Sequence, residues 1–280
     1  MVAGPARQTV VDALGRSIDV PRRPQRIISL VPSLTEWLFA LGLGERVAGV
    51  TDFCVQPATG DLGELLRAKP RLRGTKNPDR AAILALEPEI VIANKEENRE
   101  RDVLALAEAG VAVYVSETNT VAEAIATLAT LADLLDASAA AAPYLDEMRA
   151  TYAELTARPA TVAPRVLVPI WRDPWMAIGA QTYADDLLRS CGAHNVAAAL
   201  DGRYPRFTLD DLPALRPDVA LLPSEPYAFA ERDRQAVQAA LPVAVRFVDG
   251  ELLTWYGPRL AQALRSFHAL LEQLAADVRR

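Results

Sequence analysis

One segment of this chain is written twice. Ile83-Leu84-Ala85-Leu86-Glu87-Pro88-Glu89-Ile90-Val91-Ile92 aligns without a gap with Leu212-Pro213-Ala214-Leu215-Arg216-Pro217-Asp218-Val219-Ala220-Leu221. Each copy reads as a helix end, a proline turn and a buried strand. Proline cannot continue a helix, and a short apolar run without alternation suits a parallel strand covered on both faces. Such a unit in each half points to two α/β lobes of one plan.

The rest of the chain agrees. Val10 to Val20 reads as a hairpin turning at Leu14-Gly15-Arg16. Strands are expected at Arg26 to Val31, Val47 to Thr51, Val91 to Ala93 and Val111 to Val115, then at Arg165 to Ile170, Val219 to Leu222 and Val245 to Val248. Helices fall between them: Leu34 to Leu41, ended by Gly42, Thr120 to Leu135, Tyr183 to Cys191 and Arg259 to Ala276. Ser33 and Glu36 are placed to open the first of these as a capping box. The alternation predicts an α/β fold with parallel sheet.

Asp136 to Arg158 reads as one helix joining the halves. Leu145, Met148, Tyr152 and Leu155 share a face. Glu154 and Arg158 form an i,i+4 pair. Asp136 can cap the start, and Pro159 stops the helix. Pro143 argues that the continuous part begins nearer Ala142. The expected organisation is an N-terminal lobe over 1–135, a bridging helix over 136–158 and a C-terminal lobe over 159–280. Two Rossmann-like α/β lobes on a single long backbone helix would leave a ligand cleft between the lobes, lined by loops at the strand carboxyl ends.

The bulk properties narrow the function. A 51% hydrophobic content supports substantial cores. A net charge of −6 opposes nucleic-acid binding. No apolar run is long enough to span a membrane. Cys54 and Cys191 lie in different halves, and a disulfide between them is not expected. Met1 to Arg7 has no apolar signal core, so either the chain stays in the cytoplasm or a signal peptide has been removed. No nucleophile elbow, P-loop, dinucleotide glycine fingerprint or H-E-x-x-H motif is present. His194 and His268 cannot build a first-row metal site alone. An enzyme is therefore not expected.

Aromatic residues gather instead in loops after predicted strands: Trp171-Arg172-Asp173-Pro174-Trp175, Arg203-Tyr204-Pro205, Pro226-Tyr227-Ala228-Phe229 and Thr254-Trp255-Tyr256-Gly257. Trp and Tyr in loops suit a large flat ligand that needs stacking area. The first half supplies polar loops: Asp52-Phe53-Cys54, Gly74-Thr75-Lys76-Asn77 and Asn94-Lys95-Glu96-Glu97-Asn98. The expected site has one aromatic wall and one polar wall. Ser33, Phe53, Cys54, Thr75, Lys76, Asn94 and Lys95 come from the first half, and Trp171, Arg172, Trp175, Tyr204, Tyr227, Trp255 and Tyr256 from the second.

Three stretches carry a resemblance: Arg26 to Glu36, Ala85 to Ile92, and Arg165 to Gly179. They resemble the substrate-binding proteins of vitamin B12, haem and siderophore ABC importers, over nearly the whole chain after Val10. Asn94 to Asn98, Trp171 to Trp175 and Thr254 to Gly257 look most like the cobalamin-binding branch. The resemblance implies non-enzymatic capture of cobalamin or a related corrinoid for uptake, a periplasmic or cell-surface location, an ABC permease as partner, a monomer, and neither cofactor nor metal. The zinc and manganese branch uses a histidine-rich set that this chain lacks. A haem or ferric-siderophore receptor is the alternative on the same scaffold, with Tyr204, Tyr256 or Cys54 as the axial ligand to haem. A cytoplasmic corrinoid carrier or sensor, a corrinoid-processing enzyme, and a module with no small ligand are the further alternatives. Members that dock on a permease carry an acid seven positions before the repeat's proline in each lobe. Asp210 fills that position in the second lobe. Ala81 occupies it in the first, with Asp79 and Glu87 nearby.

Overall fold

A computed structural model describes residues 6–157 and 163–278. The chain divides into two compact units, Met1–Glu117 with Ile125–Leu145, and Thr118–Ala124 with Asp146–Arg280.

The first unit opens with an antiparallel hairpin, β1 (Arg7–Val11) and β2 (Ser17–Pro21). The elements β3 (Ile27–Ser29), α1 (Pro32–Ala40), β4 (Val47–Val50), α2 (Gly60–Arg67), α3 (Arg80–Ala85), β5 (Ile90–Asn94), α4 (Glu100–Glu108) and β6 (Val113–Ser116) follow. The four later strands form a parallel sheet in the order β4-β3-β5-β6. Ile28, Val91, Ala93, Val113 and Val115 are buried in its core, as continuous apolar runs require.

Two helices follow, α5 (Val121–Leu134) and α6 (Ser138–Thr156). The boundary between the units falls inside α6, after Leu145. The helix begins at neither Asp136 nor Ala142. Asp136 has φ 57° and closes the turn after α5, with its N–H on the Asp133 carbonyl at 3.1 Å. That left-handed conformation lies outside the helix, so Asp136 is not part of α6. Pro143 lies within the helix. Leu145 and Met148 are buried, and Tyr152 and Leu155 half-buried. Arg158 and Pro159, and with them the Glu154 pair and the helix stop, lie outside the described residues.

The second unit contains β7 (Arg165–Leu167), β8 (Pro169–Trp171), β9 (Met176–Ala177), α7 (Tyr183–Ser190), β10 (His194–Asn195), α8 (Leu212–Leu215), β11 (Val219–Pro223), α9 (Glu231–Ala240), β12 (Ala244–Val248), α10 (Gly250–Thr254) and α11 (Leu260–Val278). Its main sheet is also parallel, ordered β10-β7-β11-β12.

The written repeat is a repeated backbone device. Glu87 and its counterpart Arg216 both adopt left-handed conformations, φ 46° and 48°, directly before the proline. Few non-glycine residues do so. An arginine holds each turn. Arg26 Nε donates to the Glu87 carbonyl at 2.6 Å, and its N–H to the Glu89 carboxylate at 3.1 Å. Arg165 Nε donates to the Arg216 carbonyl at 2.8 Å, and its N–H to the Asp218 carboxylate at 2.7 Å. Each lock pins the repeat's strand beside the first main strand of its own unit.

Helix α1 departs from the expected capping box. It starts on Pro32, with Val31 as N-cap and no side-chain cap. Proline in the first turn brings the helical φ with it and lacks an N–H that would otherwise be orphaned. Ser33 is therefore inside the helix and buried. Trp37 in α1 anchors the unit: its indole donates to the Leu128 carbonyl at 3.2 Å and its ring meets Tyr144 edge-on at 5.5 Å.

Candidate ligand-binding site

Two loops of the second unit, one after β8 and one after β11, carry most of its clustered aromatic residues. Their aromatic side chains, with Phe207 from the segment after β10, form one contiguous series. Trp171 meets Tyr227 edge-on at 5.6 Å, and Tyr227 lies 4.7 Å from Phe229. Phe229 stacks on Trp175 at 5.9 Å and 11°, and Trp175 reaches Phe207 at 5.9 Å. The series grades from core to solvent. Phe207 and Phe229 are buried, Trp175 and Tyr227 half-buried, and Trp171 is 44% exposed. Buried rings hold the open ones in place, so the exposed indole face is offered with little freedom left to lose on binding.

Arg172 does not point out as a free cation. Its Nη1 donates to Asp233, and its guanidinium lies 5.6 Å from the Trp175 ring centre. Asp233 is wholly buried in the first turn of α9. Its other oxygen accepts the Ala230 N–H at 2.8 Å. A buried carboxylate is tolerated only when it is paired and hydrogen-bonded, and this pair ties the β8 loop to α9. Arg232 of the same turn donates to the Tyr227 hydroxyl at 3.1 Å.

A second group lies where the β11 loop meets α10. Glu225 Oε1 is 2.6 Å from the Thr254 hydroxyl, and the Trp255 side chain is a further hydrogen-bond partner. Gly250 permits this approach, because a Cβ there would fall 2.7 Å from Glu225 Cγ. The Gly250 N–H donates to Ser224 Oγ at 2.9 Å. Burial pushes the Glu225 carboxyl above its ordinary range, and the like charges of Glu251 and Asp249 add to the rise, against hydrogen bonds from Thr254 and Trp255. Arg259 pairs with Glu251 at 2.7 Å and lies 5.8 Å from the Trp255 ring centre. Tyr256 turns inward, 7% exposed and edge-on to Tyr183 at 5.5 Å. Tyr204 is half-buried in a loop held close to Gly179, where a Cβ would fall 2.5 Å from the Gly202 carbonyl.

The first unit's polar loops are closed on themselves. Asn94 is buried, and its side-chain oxygen accepts the Glu96 N–H at 2.7 Å. Its amide nitrogen donates to Ser116 Oγ at 3.2 Å. Asn98 accepts the Asn94 N–H at 2.8 Å and donates to the carbonyls of Leu30 and Thr75, at 3.3 and 3.0 Å. Thr75 is buried. Lys76 Nζ donates to the Glu96 carbonyl, and Lys95 pairs with Glu117 at 2.7 Å. Here the structure differs from the expected polar wall, because Asn94, Asn98 and Lys76, read as loop polar groups, bond the loop backbone, and Lys95 pairs with Glu117. Phe53, 60% exposed, and Val55, 49% exposed, are the large hydrophobic side chains that this loop region leaves open.

Cys54 is closed as well. It is fully buried, with its sulfur 3.0 Å from Thr35 Oγ1 and 3.2 Å from Thr51 Oγ1. Burial raises its pKa, and burial pushes that of Cys191 up to about 12. Thiolate is the reactive form. Both free thiols are therefore expected to stay unmodified by an aromatic disulfide reagent at pH 8 in the native protein, and both to react in denaturant. Rapid native labelling would contradict this burial.

His194 is exposed; His268 contacts the Cys191 carbonyl at 3.2 Å and Glu272 at 3.5 Å. Among the described residues, no three His, Cys, Asp or Glu side chains are placed to hold a metal ion. No described helix is long and apolar enough to cross a membrane. Asp210 is exposed beside α8, and Ala81 is exposed on α3. Asp79 caps α3 by accepting the Ala82 N–H at 3.1 Å and pairs with Arg73 at 3.4 Å.

Sequence reasoning missed Asp233 and Glu225. Asp233 shows only as an acid in a helix's first turn, and Glu225 only as an acid before a loop proline. Neither pattern carries its long-range partner.

The profile of a periplasmic binding protein family matches residues 27–241. An uncharacterised ABC transporter substrate-binding lipoprotein of Bacillus subtilis is 26% identical over 267 residues, 91% of this chain and 82% of that protein. A vitamin B12-binding protein of Pectobacterium atrosepticum is 25% identical over 258 residues, 90% of each chain. The structure of a periplasmic haem-binding protein from Pseudomonas aeruginosa superposes with a TM-score of 0.74 at 25% identity, covering 90% of this chain and 94% of that one.

Proposed function

The chain belongs to the periplasmic binding protein family, a family of solute receptors rather than enzymes, and from that premise we propose that it captures cobalamin or a related corrinoid for an ABC importer. One observation carries this reading. The aromatic series from Phe207 to Trp171 is anchored in the core at one end and open at the other. A rigid open aromatic face suits a large ring with apolar surface. Trp171, Tyr227 and Trp255 are the proposed contacts on the second unit, with Arg172 and Trp175 holding them. Ser33, Thr75 and Asn94 shape their loops from within. Helix α6 serves as the bridge. Likeness to a vitamin B12-binding protein over nine-tenths of both chains supports the ligand class. Likeness to a substrate-binding lipoprotein supports a place in the periplasm or at the cell surface, with a permease as partner. Asp210 is the proposed docking acid of the second unit.

Titration with cyanocobalamin, followed by tryptophan fluorescence and calorimetry, tests the reading. Saturable quenching with one equivalent is expected. Absence of binding at millimolar ligand overturns it.

Haem is the second reading, favoured by likeness to a haem-binding protein. Burial of Cys54 and inward packing of Tyr256 leave Tyr204 as the candidate axial ligand. A Soret shift on adding hemin, lost in Tyr204→Phe, would favour this reading over the corrinoid.

A further inference from the structure

A half-buried carboxylate in an aromatic loop calls for a reason. Glu225 lies two residues beyond β11, in the loop that carries Tyr227, and it is bonded to Thr254 and Trp255 across the neighbouring loop. A crosslink to a hydroxyl and an indole N–H needs only an acceptor. Glutamine would supply one acceptor oxygen without charge, in place of two. The carboxylate is instead kept where burial opposes ionisation and where Glu251 and Asp249, from the start of α10, face it with like charge. Asp249 accepts the Leu252 N–H at 3.1 Å, and Glu251 is paired with Arg259. A carboxyl raised by desolvation and like charges, in the loop that carries Tyr227, is a mark of a functional group.

An ionised carboxylate has about four lone-pair sites and no donor. Thr254 and Trp255 account for two of them. The rest can take a ligand N–H or O–H. We infer that Glu225 reads the rim of the ligand, accepting a hydrogen bond from a carboxamide N–H and turning away a carboxylate at the same position. This rests on the proposed ring-binding function, and it deepens that function by dividing the candidate ligands. A macrocycle rimmed by amides is accepted; one rimmed by carboxylates is disfavoured.

Glu225→Gln is nearly isosteric and keeps an oxygen for Thr254. It is expected to weaken cyanocobalamin binding about tenfold, the size of a lost charge-assisted hydrogen bond. Hemin should bind the variant at least as well as it binds the parent. The pH dependence carries the signature. Because the folded carboxyl titrates above its unfolded value, its linkage contribution favours folding at low pH and is lost as pH rises through the folded value. Ligand capture has the opposite sign, because the ionised form is the better acceptor. Cyanocobalamin affinity should therefore fall as pH drops through the raised titration of Glu225. Glu225→Gln should flatten that profile.

Thr254→Val separates the two roles, since it removes one of the two crosslinking hydrogen bonds and leaves the charge. Retention of the pH profile in Thr254→Val, with its loss in Glu225→Gln, is the expected result. If both variants behave alike, or if Glu225→Gln binds cyanocobalamin as the parent does, Glu225 is only a crosslink and the inference falls. If the parent binds hemin alone and Glu225→Gln tightens it, the corrinoid reading falls while the role of Glu225 stands. A parent protein that binds neither ring overturns both.

Discussion

Replacing Arg172 by alanine is expected to destabilise the second unit by about 3 kcal/mol, the range for breaking a buried ion pair by removing one partner. The loss follows from what is left behind. Asp233 is wholly buried, and without Arg172 Nη1 its main remaining support is the Ala230 N–H, with Arg232 Nε 3.8 Å away. Asp233→Asn should cost less, about 1–2 kcal/mol, because Arg172 is 27% exposed and can turn to water while the asparagine oxygen still caps α9. The ordering Arg172→Ala worse than Asp233→Asn is the test. Urea unfolding followed by tryptophan fluorescence reads it, and the reverse order would show that the pair is not what holds the β8 loop. Arg172→Ala should also weaken ligand capture, since the guanidinium lies against Trp175 and the loop carries Trp171.

Trp171→Ala should do the converse. The indole is 44% exposed and its ring contact is with Tyr227, so little core packing is lost and stability should change by less than about 0.5 kcal/mol. Ligand affinity should drop by about 2 kcal/mol, the scale of a tryptophan hot spot, or roughly thirtyfold. Calorimetry against cyanocobalamin measures it. Equal affinity in the variant would remove Trp171 from the site and leave Trp255 and Tyr227 as the stacking groups. Trp175→Ala is the control. It takes a ring out of the series between Phe207 and Phe229, so it should lower both stability and affinity, unlike Trp171→Ala.

Much of the fold was legible because the signals are local. A run such as Ile90 to Ala93 must be covered on both faces, and Pro88 or Pro217 must interrupt a helix, whatever lies elsewhere in the chain. The doubled segment accordingly marked the two units, and each carries a parallel sheet. The left-handed turns at Glu87 and Arg216 were not legible, because their support comes from Arg26 and Arg165, 61 and 51 positions away. The start of α6 was misread for a similar reason. Asp136 suits an N-cap by residue type, yet the turn after α5 holds it outside the helix.

The candidate site divides along the same line. Residue type alone determined that aromatic loops follow the strands of the second unit. The tertiary structure decided which side chains remain open. Asn94, Lys76 and Lys95 look from sequence like Trp171, polar or aromatic groups in loops, but each has a partner in its own unit: Ser116 and the Glu96 N–H for Asn94, the Glu96 carbonyl for Lys76 and Glu117 for Lys95. Asp233 and Glu225 read as ordinary surface acids and are instead a buried anchor and a half-buried acceptor. The reason is physical. Secondary structure follows from backbone preference and hydrophobic period, which a segment carries within itself. Whether a polar group is free depends on its partners, and chain folding brings those together from distant positions.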